Sequence, residues 1–327
     1  MLIFSTANDL LHGIFVKILD QRVGILRCRN YDRQEIKSCF DRFAASLDFI
    51  VSRGCRILLK PNLVSGQGHD GLGCTHPEFV AAVAEWCVDQ GAQVAIGDSP
   101  AFGSGQRVMQ LCGMSSALRG LAVKTVSFSR GKSRRLDCGI KVGIAPQALD
   151  CDFLINLPRV KAHAQVRVTL AVKNYFGVVN GWKKAWLHMR CGERENLFES
   201  LLVDLLKVVP AGFSFIDGIV AMHKTGPIFG DPFPLGLVAG SANPVALDAA
   251  LLDILGVSAD QSMVQMECIR RGLPGSRSGN LSYPFLCPEE TAMPDFQLPL
   301  ELDRVRFQPS RILKGLLKRT SSRFIPG

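Results

Sequence analysis

The chain has 327 residues, 47% of them hydrophobic, enough to bury a full core as one large domain or two. Its 31 Gly and 17 Pro suit an α/β protein rich in tight turns and argue against disorder. The formal charge of +9 does not point to nucleic acid, because it is local. Residues 304–327 hold seven Arg and Lys and no acid, and the rest of the chain has 31 basic against 29 acidic residues.

Residues 1–21 are apolar but contain Asn8, Asp9 and His12 and lack a basic leader. They read as an amphipathic N-terminal extension rather than a signal peptide, and no apolar run reaches the length of a membrane span. The eleven Cys include no CxxC pair and no zinc or iron–sulfur spacing, which suits reduced thiols in a cytoplasmic protein.

From residue 22 the apolar period switches repeatedly between strand and helix. Residues 22–28 form a strand and 33–54 a helical pattern. "CRILLKPNLV" (55–64) is a buried strand stopped at Pro61-Asn62. A helix over 76–92 opens at Pro77 and closes at Gly91. A strand (93–101), a helix (106–120) and a short strand near 124–129 follow, then the strand "CDFLINLPRV" (151–160). A helix (196–209), a strand (213–220) and a helix (243–256) opened by Asn243 and Pro244 complete the series. The pattern implies an α/β fold, a mainly parallel sheet with helices on both faces. Two lobes with a site between them, divided near 130–150, would also fit. Residues 257–327 read as loop cover followed by a basic amphipathic tail.

Polar residues fall where these strands end: Lys60-Pro61-Asn62, Asp98-Ser99, Asn156 with Lys161, and Asp217-Gly218. Ligands of open α/β sheets bind at that edge. Lys161 and Lys173 bracket the apolar "VRVTLAV", so both should be drawn out of water. A buried lysine needs a partner or loses its charge. It then clamps an anion, acts as base or nucleophile, or pairs internally with Asp98, Asp152, Asp217 or Asp248. Thr75 is a candidate cap for the helix that follows it, and His76 at that helix start should stay neutral. "GIVAMHKTGPIFGDPFPLG" (218–236) can form an anion-holding backbone loop at Gly226 and Gly230, or simply a strand connection with unusual dihedrals. It has neither Walker nor dinucleotide spacing.

The blocks "RILLKPNLV", "THPEFVAAVAEW", "GAQVAIGDSP", "FLINLPRVKAH", "VTLAVKNYFG", "DGIVAMHKTGPIFG" and "NPVALDAALLD" together resemble the family catalogued as domain of unknown function 362. The resemblance runs in order over about residues 22–256. It implies an α/β domain, often joined to a ferredoxin-type iron–sulfur module that this sequence lacks. The layout is also distantly similar to the nickel-pincer lactate racemases, which use His and Lys around a 2-hydroxy acid. The family blocks fall on Lys60, Asn62, Thr75, His76, Asp98, Ser99, Asn156, Lys161, His163, Thr169, Lys173, Asn174, Lys183, His188, Asp217, Gly226 and Gly230.

The expected function is an enzyme acting on a small carboxylate or phosphate metabolite, of racemase, isomerase or lyase type. Lys161, His163, Lys173, His188, Asp98 and Asp217 are the candidate acid–base residues. Lys60, Asn62, Thr75, His76, Ser99, Asn174, Lys183, Gly226 and Gly230 are the candidate binding residues. No motif requires a cofactor. The alternatives are a metal or redox protein working with an iron–sulfur partner, with His76, His163, His188 and Asp98 as ligands of a divalent ion, and a non-catalytic binding protein. The tail suits docking on the domain, on an acidic partner or, peripherally, on an anionic membrane.

Overall fold

The structure, a computed structural model, describes residues 19–65, 71–100, 103–180 and 196–300. Residues 1–18 of the N-terminal extension, Lys183, His188 and the basic tail lie outside them. In chain order the elements are β1 (Gly24–Arg27), α1 (Arg33–Ser46), β2 (Arg56–Pro61), α2 (Pro77–Asp89), β3 (Gln93–Ile96), α3 (Gly105–Leu111), α4 (Met114–Ala117) and β4 (Val123–Thr125). Then come β5 (Lys132–Arg135), β6 (Lys141–Ile144), α5 (Pro146–Leu149), β7 (Phe153–Leu157), β8 (Arg159–His163), β9 (Arg167–Thr169) and α6 (Ala171–Asn174). The last are α7 (Leu197–Leu205), β10 (Gly212–His223), β11 (Asp231–Phe233), β12 (Leu237–Ser241), α8 (Pro244–Ile254) and α9 (Met263–Arg270).

Among the described residues ten strands form one sheet with the path β1-β12-β10-β7-β2-β3-β4. The block β10-β7-β2-β3-β4 is parallel throughout, and β12 and β1 extend it antiparallel beyond β10. β10 is long enough to serve two partners. Its first residues pair with β7, and from Asp217 onward it pairs with β8, with a register shift between Asp217 and Met222. The break between β7 and β8 falls at Pro158, which has no N–H to give a ladder. Its carbonyl instead accepts from Asp217 N at 2.9 Å. β9 folds back on β8, and β5–β6 make a separate two-stranded ribbon.

Alternation along the strands sends side chains to two covered faces. Ile57, Leu59, Ile155, Leu157, Phe213 and Phe215 pack under α1 and α2. Leu58 and Leu154 pack against α7 on the other side, and Val160, Ala162, Ile216 and Ala239 pack against α8. Burial of each such side chain is worth roughly 1.5–3 kcal/mol, so the sheet is held from both faces. Local signals start the helices: Asp32 caps α1, and Asn243 caps α8 ahead of Pro244.

The expected α/β architecture is present, with four differences in detail. The helix expected over 106–120 is broken at Gly113 (φ 81°), giving α3 and α4. Residues beyond 256 are not only loop, since α9 packs there on α7. Asp217 lies midway along β10 rather than at its end; it still sits at the site edge because that is where β7 gives way to β8. His76, not Thr75, caps α2, with Nδ1 accepting from Glu78 N at 3.3 Å.

Candidate functional site

The carboxyl ends of β2, β3 and β7 bring a row of polar side chains together. In the ladder Lys60 stands beside Asn156, and Asn156 beside Ser214. Asn156 donates to Ser214 Oγ (3.2 Å) and to the Ala171 carbonyl (3.1 Å). Asn174 from α6 donates to Asn156 Oδ1 at 2.8 Å and to the Lys60 carbonyl at 3.4 Å. Two amides thus tie α6 to the sheet edge at the level of Lys60.

Lys60 is fully buried, and its Nζ lies 2.9 Å from Asp98 Oδ1 and 2.9 Å from the Pro61 carbonyl. The Asp98 contact is a buried ion pair. Asp98 Oδ2 accepts from Leu63 N at 2.8 Å. Gly177 roofs the pair: a Cβ at that position would strike Asp98 Oδ1 and both Nζ and Cε of Lys60. Its carbonyl accepts from Ser99 N at 3.1 Å. Burial pulls the Lys60 pKa below its ordinary value even though Asp98 works the other way.

Asn62 follows β2 and reaches the loop before α2. Its backbone N donates to Thr75 Oγ1 (2.8 Å) and its side chain to the Gly73 carbonyl (2.6 Å). Thr75 in turn donates to the Leu157 carbonyl (2.6 Å). Lys161 Nζ donates to the same Gly73 carbonyl at 2.9 Å. That neutral oxygen is the one hydrogen-bond partner of the Lys161 amine among the described residues, and no carboxylate lies within ion-pair distance. With the side chain wholly buried, desolvation pulls its pKa down to about 7. Nearby Arg159 and Lys60 lower it further, against the pull of Cys74 and Asp98. The Cys74 thiol is itself drawn toward thiolate, chiefly by a hydrogen bond with the Cys112 thiol.

A second node adjoins the first through residues 74–76. Arg159 donates to the Val220 carbonyl (2.8 Å), the Cys74 carbonyl (2.9 Å) and Tyr31 OH (3.0 Å). Tyr31 OH donates to Asp217 Oδ1 at 2.9 Å, and its ring stacks on His76 at 3.5 Å. Asp217 also accepts from His76 N (3.0 Å) and Ile219 N (3.3 Å), and lies 3.7 Å from Arg159 Nε. Burial holds the His76 pKa below its ordinary value. Every oxygen of Asp217 is therefore engaged, which suits a fixed anchor for Arg159.

Lys60, Asn62, Thr75, Asp98, Ser99, Asn156, Lys161 and Asn174 thus share one buried region, with His76 and Asp217 in the node beside it. Lys173 is half-buried on α6 next to Asn174. Arg159, Lys161 and His163 alternate onto one face of β8, opposite Thr169 and Arg167 of β9. His163 Nδ1 accepts from Gln165 N at 3.1 Å. Gly226 lies against that hairpin, where a Cβ would strike the Ala162 carbonyl; Gly230 closes a turn on the Thr225 carbonyl. Neither glycine has a left-handed φ, and both sit where the backbone passes closely; the loop around them does have unusual dihedrals, with a cis Gly226–Pro227 peptide and positive φ at Lys224 (65°) and Gly236 (67°). Among the described residues no three His, Cys, Asp or Glu side chains gather into a metal-sized cluster. His76, His163 and Asp98 each sit in separate surroundings.

Internal pairing of the lysines is only partly realised. Asp98 takes Lys60, Asp152 takes Arg56 and Asp248 accepts from Ala171 N and Val172 N, so Lys161 receives none of them. Sequence reasoning missed Tyr31, Cys74, Arg159 and Gly177. Arg159 was detectable from its two-residue spacing to Lys161 after Pro158; Tyr31 had no local signal. Two surface depressions, of about 600 and 190 Å³, contain none of Lys60, Asp98 or Lys161, though the first is lined by Ala164 and Thr225, next to His163 and Gly226.

The chain resembles known proteins at three levels. The solved structure of the lactate racemase apoprotein from Thermoanaerobacterium thermosaccharolyticum aligns over 77% of this chain and 60% of that one, with 12% identity and a TM-score of 0.44. At that distance the likeness bears on neither substrate nor chemistry. A thylakoid-associated protein of Synechocystis sp. is 35% identical over 308 residues, covering 93% of this chain and 95% of the relative. A family model described as Domain of unknown function (DUF362) matches residues 57–253, and on this match and that relative together the chain belongs to the DUF362 family.

Proposed function

We propose that the chain is an enzyme that binds a small carboxylate or phosphate metabolite at the carboxyl edge of its sheet and moves a proton next to a carbonyl group. One observation carries this reading: the buried region holds three cations and two carboxylates, and Lys161 is the cation left over. Lys60 has Asp98, and Arg159 has Asp217. A surplus buried lysine either meets an external anion or gives up its proton. With a pKa pulled down to about 7, Lys161 can do both near neutrality, as a general base needs. The neighbouring Lys60–Asp98 pair supplies a fixed dipole for charge that develops in the reaction.

The test is proton exchange in D2O, followed by NMR, on a panel of small 2-hydroxy and 2-oxo carboxylates. The protein is expected to exchange the carbon-bound proton beside the carboxylate of at least one of them. The Lys161→Met variant is expected to be slower by roughly a hundredfold or more. Unchanged exchange in that variant would contradict the reading, and so would no exchange by the unaltered protein.

A second reading concerns location. The seven basic residues of 304–327, together with the thylakoid association stated for the Synechocystis relative, support a cytoplasmic protein that docks peripherally on an anionic membrane. Co-sedimentation with anionic but not zwitterionic vesicles, lost on deletion of 304–327, is the expected result. Equal sedimentation with both would count against it.

A further inference from the structure

The surplus lysine has a second chemical consequence, which rests on the small-anion reading of the same edge. We propose that Lys161 is an imine-forming residue: its amine condenses with the carbonyl carbon of a small aldehyde or ketone that also carries a carboxylate or phosphate group.

Three features of the geometry support this. First, the Lys161 amine is fully buried and hydrogen-bonded to one neutral acceptor, the Gly73 carbonyl, at 2.9 Å. No carboxylate among the described residues pairs with it to hold a proton on nitrogen, although Cys74 and Asp98 favour the charged form from further off. Lys60, equally buried, has a carboxylate at 2.9 Å and makes a poor nucleophile by comparison. Second, the Thr169 hydroxyl is buried and has no hydrogen-bond partner among the described residues. It stands directly opposite Lys161 in the β8–β9 register, so both side chains leave the same face of the hairpin. A buried hydroxyl without a partner costs free energy unless a ligand satisfies it; the oxygen of a carbonyl or carbinolamine on Lys161 would do so. Third, His163 follows Lys161 on the same face of β8, two residues and roughly 7 Å along the strand, and pairs in register with Arg167, whose left-handed φ of 63° takes it out of the strand alternation. The spacing from Lys161 to His163 is a fitting distance for the anionic end of a three- or four-carbon ligand.

The step balances without a redox partner. The nitrogen lone pair forms a C–N bond to the carbonyl carbon while the C=O π pair moves to oxygen, which takes up a proton. The carbinolamine then loses its hydroxyl as water and the nitrogen loses a proton, so amine and carbonyl become imine and water. Once protonated, the imine draws electrons from the adjacent carbon, and loss of a proton there becomes easier. The Lys161 nitrogen is then bonded to the ligand and cannot itself take that proton, which passes to water or another base, so imine formation stands in place of direct proton abstraction by Lys161.

The experiment treats the full-length protein at pH 8 with pyruvate, glyoxylate or dihydroxyacetone phosphate in the presence of cyanoborohydride, which reduces an imine to a stable secondary amine. Peptide mass spectrometry then locates the adduct. With at least one probe, Lys161 is expected to be modified at least about tenfold above Lys60 and every other lysine, because ordinary lysines are almost wholly protonated at that pH. Lys161→Met, which removes the amine without burying a charge, is expected to stay folded and to lose the adduct. No adduct on Lys161 with any of the three probes, or labelling spread evenly over the lysines, would overturn the proposal. Exchange that depends on Lys161 with no trapped adduct would remove the imine and leave the general base. Absence of both would remove the two together.

Discussion

Lys60 and Asp98 meet at 2.9 Å with both side chains withdrawn from water, while Lys161 has no carboxylate within ion-pair distance among the described residues. Breaking a buried pair from one side is costly because the remaining charge has no partner; removing both charges costs much less. Asp98→Asn is therefore expected to lower stability by about 3–5 kcal/mol. The double variant Lys60→Met/Asp98→Asn, which keeps an acceptor near Leu63 N, is expected to regain at least about 1 kcal/mol of that loss. Urea unfolding of the two singles and the double checks it, and additive losses would contradict it.

Gly177 has no room for a side chain, because a Cβ would enter the Lys60–Asp98 pair. Gly177→Ala is expected to cost roughly 1–3 kcal/mol and to disturb the Lys60–Asp98 contact. Gly279, with nothing near its Cβ position, is the control, and Gly279→Ala is expected to be close to neutral. Thermal melts of the two variants that fall together would refute the roof.

The pH dependence of stability carries a sign that Lys161 sets. In the unfolded chain it holds its proton up to the ordinary value of 10.5, whereas in the folded protein it releases it near 7. Between those values the unfolded state binds more protons, so this residue makes stability rise with pH. Below pH 7 the folded protein bears the full cost of a buried ammonium. Lys161→Met is expected to be the more stable form at pH 6, by a few kcal/mol at most, with the gap closing toward pH 10. Denaturant midpoints of both forms across that range test it; a constant gap would contradict it.

Asp248 works in the opposite window. Burial pushes its carboxyl up to about 7, and it accepts from Ala171 N (2.7 Å) and Val172 N (3.1 Å). From pH 4 to 7 the folded state holds a proton that the unfolded state has released, so this group makes stability fall as pH rises. Asp248→Asn places an amide donor against one of those N–H groups and is expected to cost about 1–2 kcal/mol at pH 5. The gap is expected to narrow by pH 7. The same change loosens α6, which carries Lys173 and Asn174, and is expected to slow any Lys161-dependent exchange without abolishing it. A gap that widens toward pH 7 would contradict the assignment.

Much of this site was legible from strand ends. Polar residues directly after buried apolar runs located Lys60, Asn62, Asp98 and Asn156 on one edge, because a parallel sheet aligns its carboxyl ends by construction. Lys161 was legible for a different reason, as a cation inside a stretch that had to be buried. What was not legible depends on register and long-range contact. That β10 runs past β7 to pair with β8, that Tyr31 reaches Asp217 from before α1, and that Gly177 covers Lys60 all require knowing which segments meet in space. Counting charges could not decide which lysine pairs internally: Lys60 meets Asp98, whereas Lys161 has no carboxylate within ion-pair distance among the described residues.

The most direct measurement is the titration of Lys161 itself, by NMR of 15N-labelled lysine side chains with the signal assigned by its loss in Lys161→Met. A midpoint close to 7, well below those of the exposed lysines, is the expected result. A midpoint near the ordinary 10.5 would mean that the Lys161 amine is charged and satisfied, and both the base and the imine would fall with it.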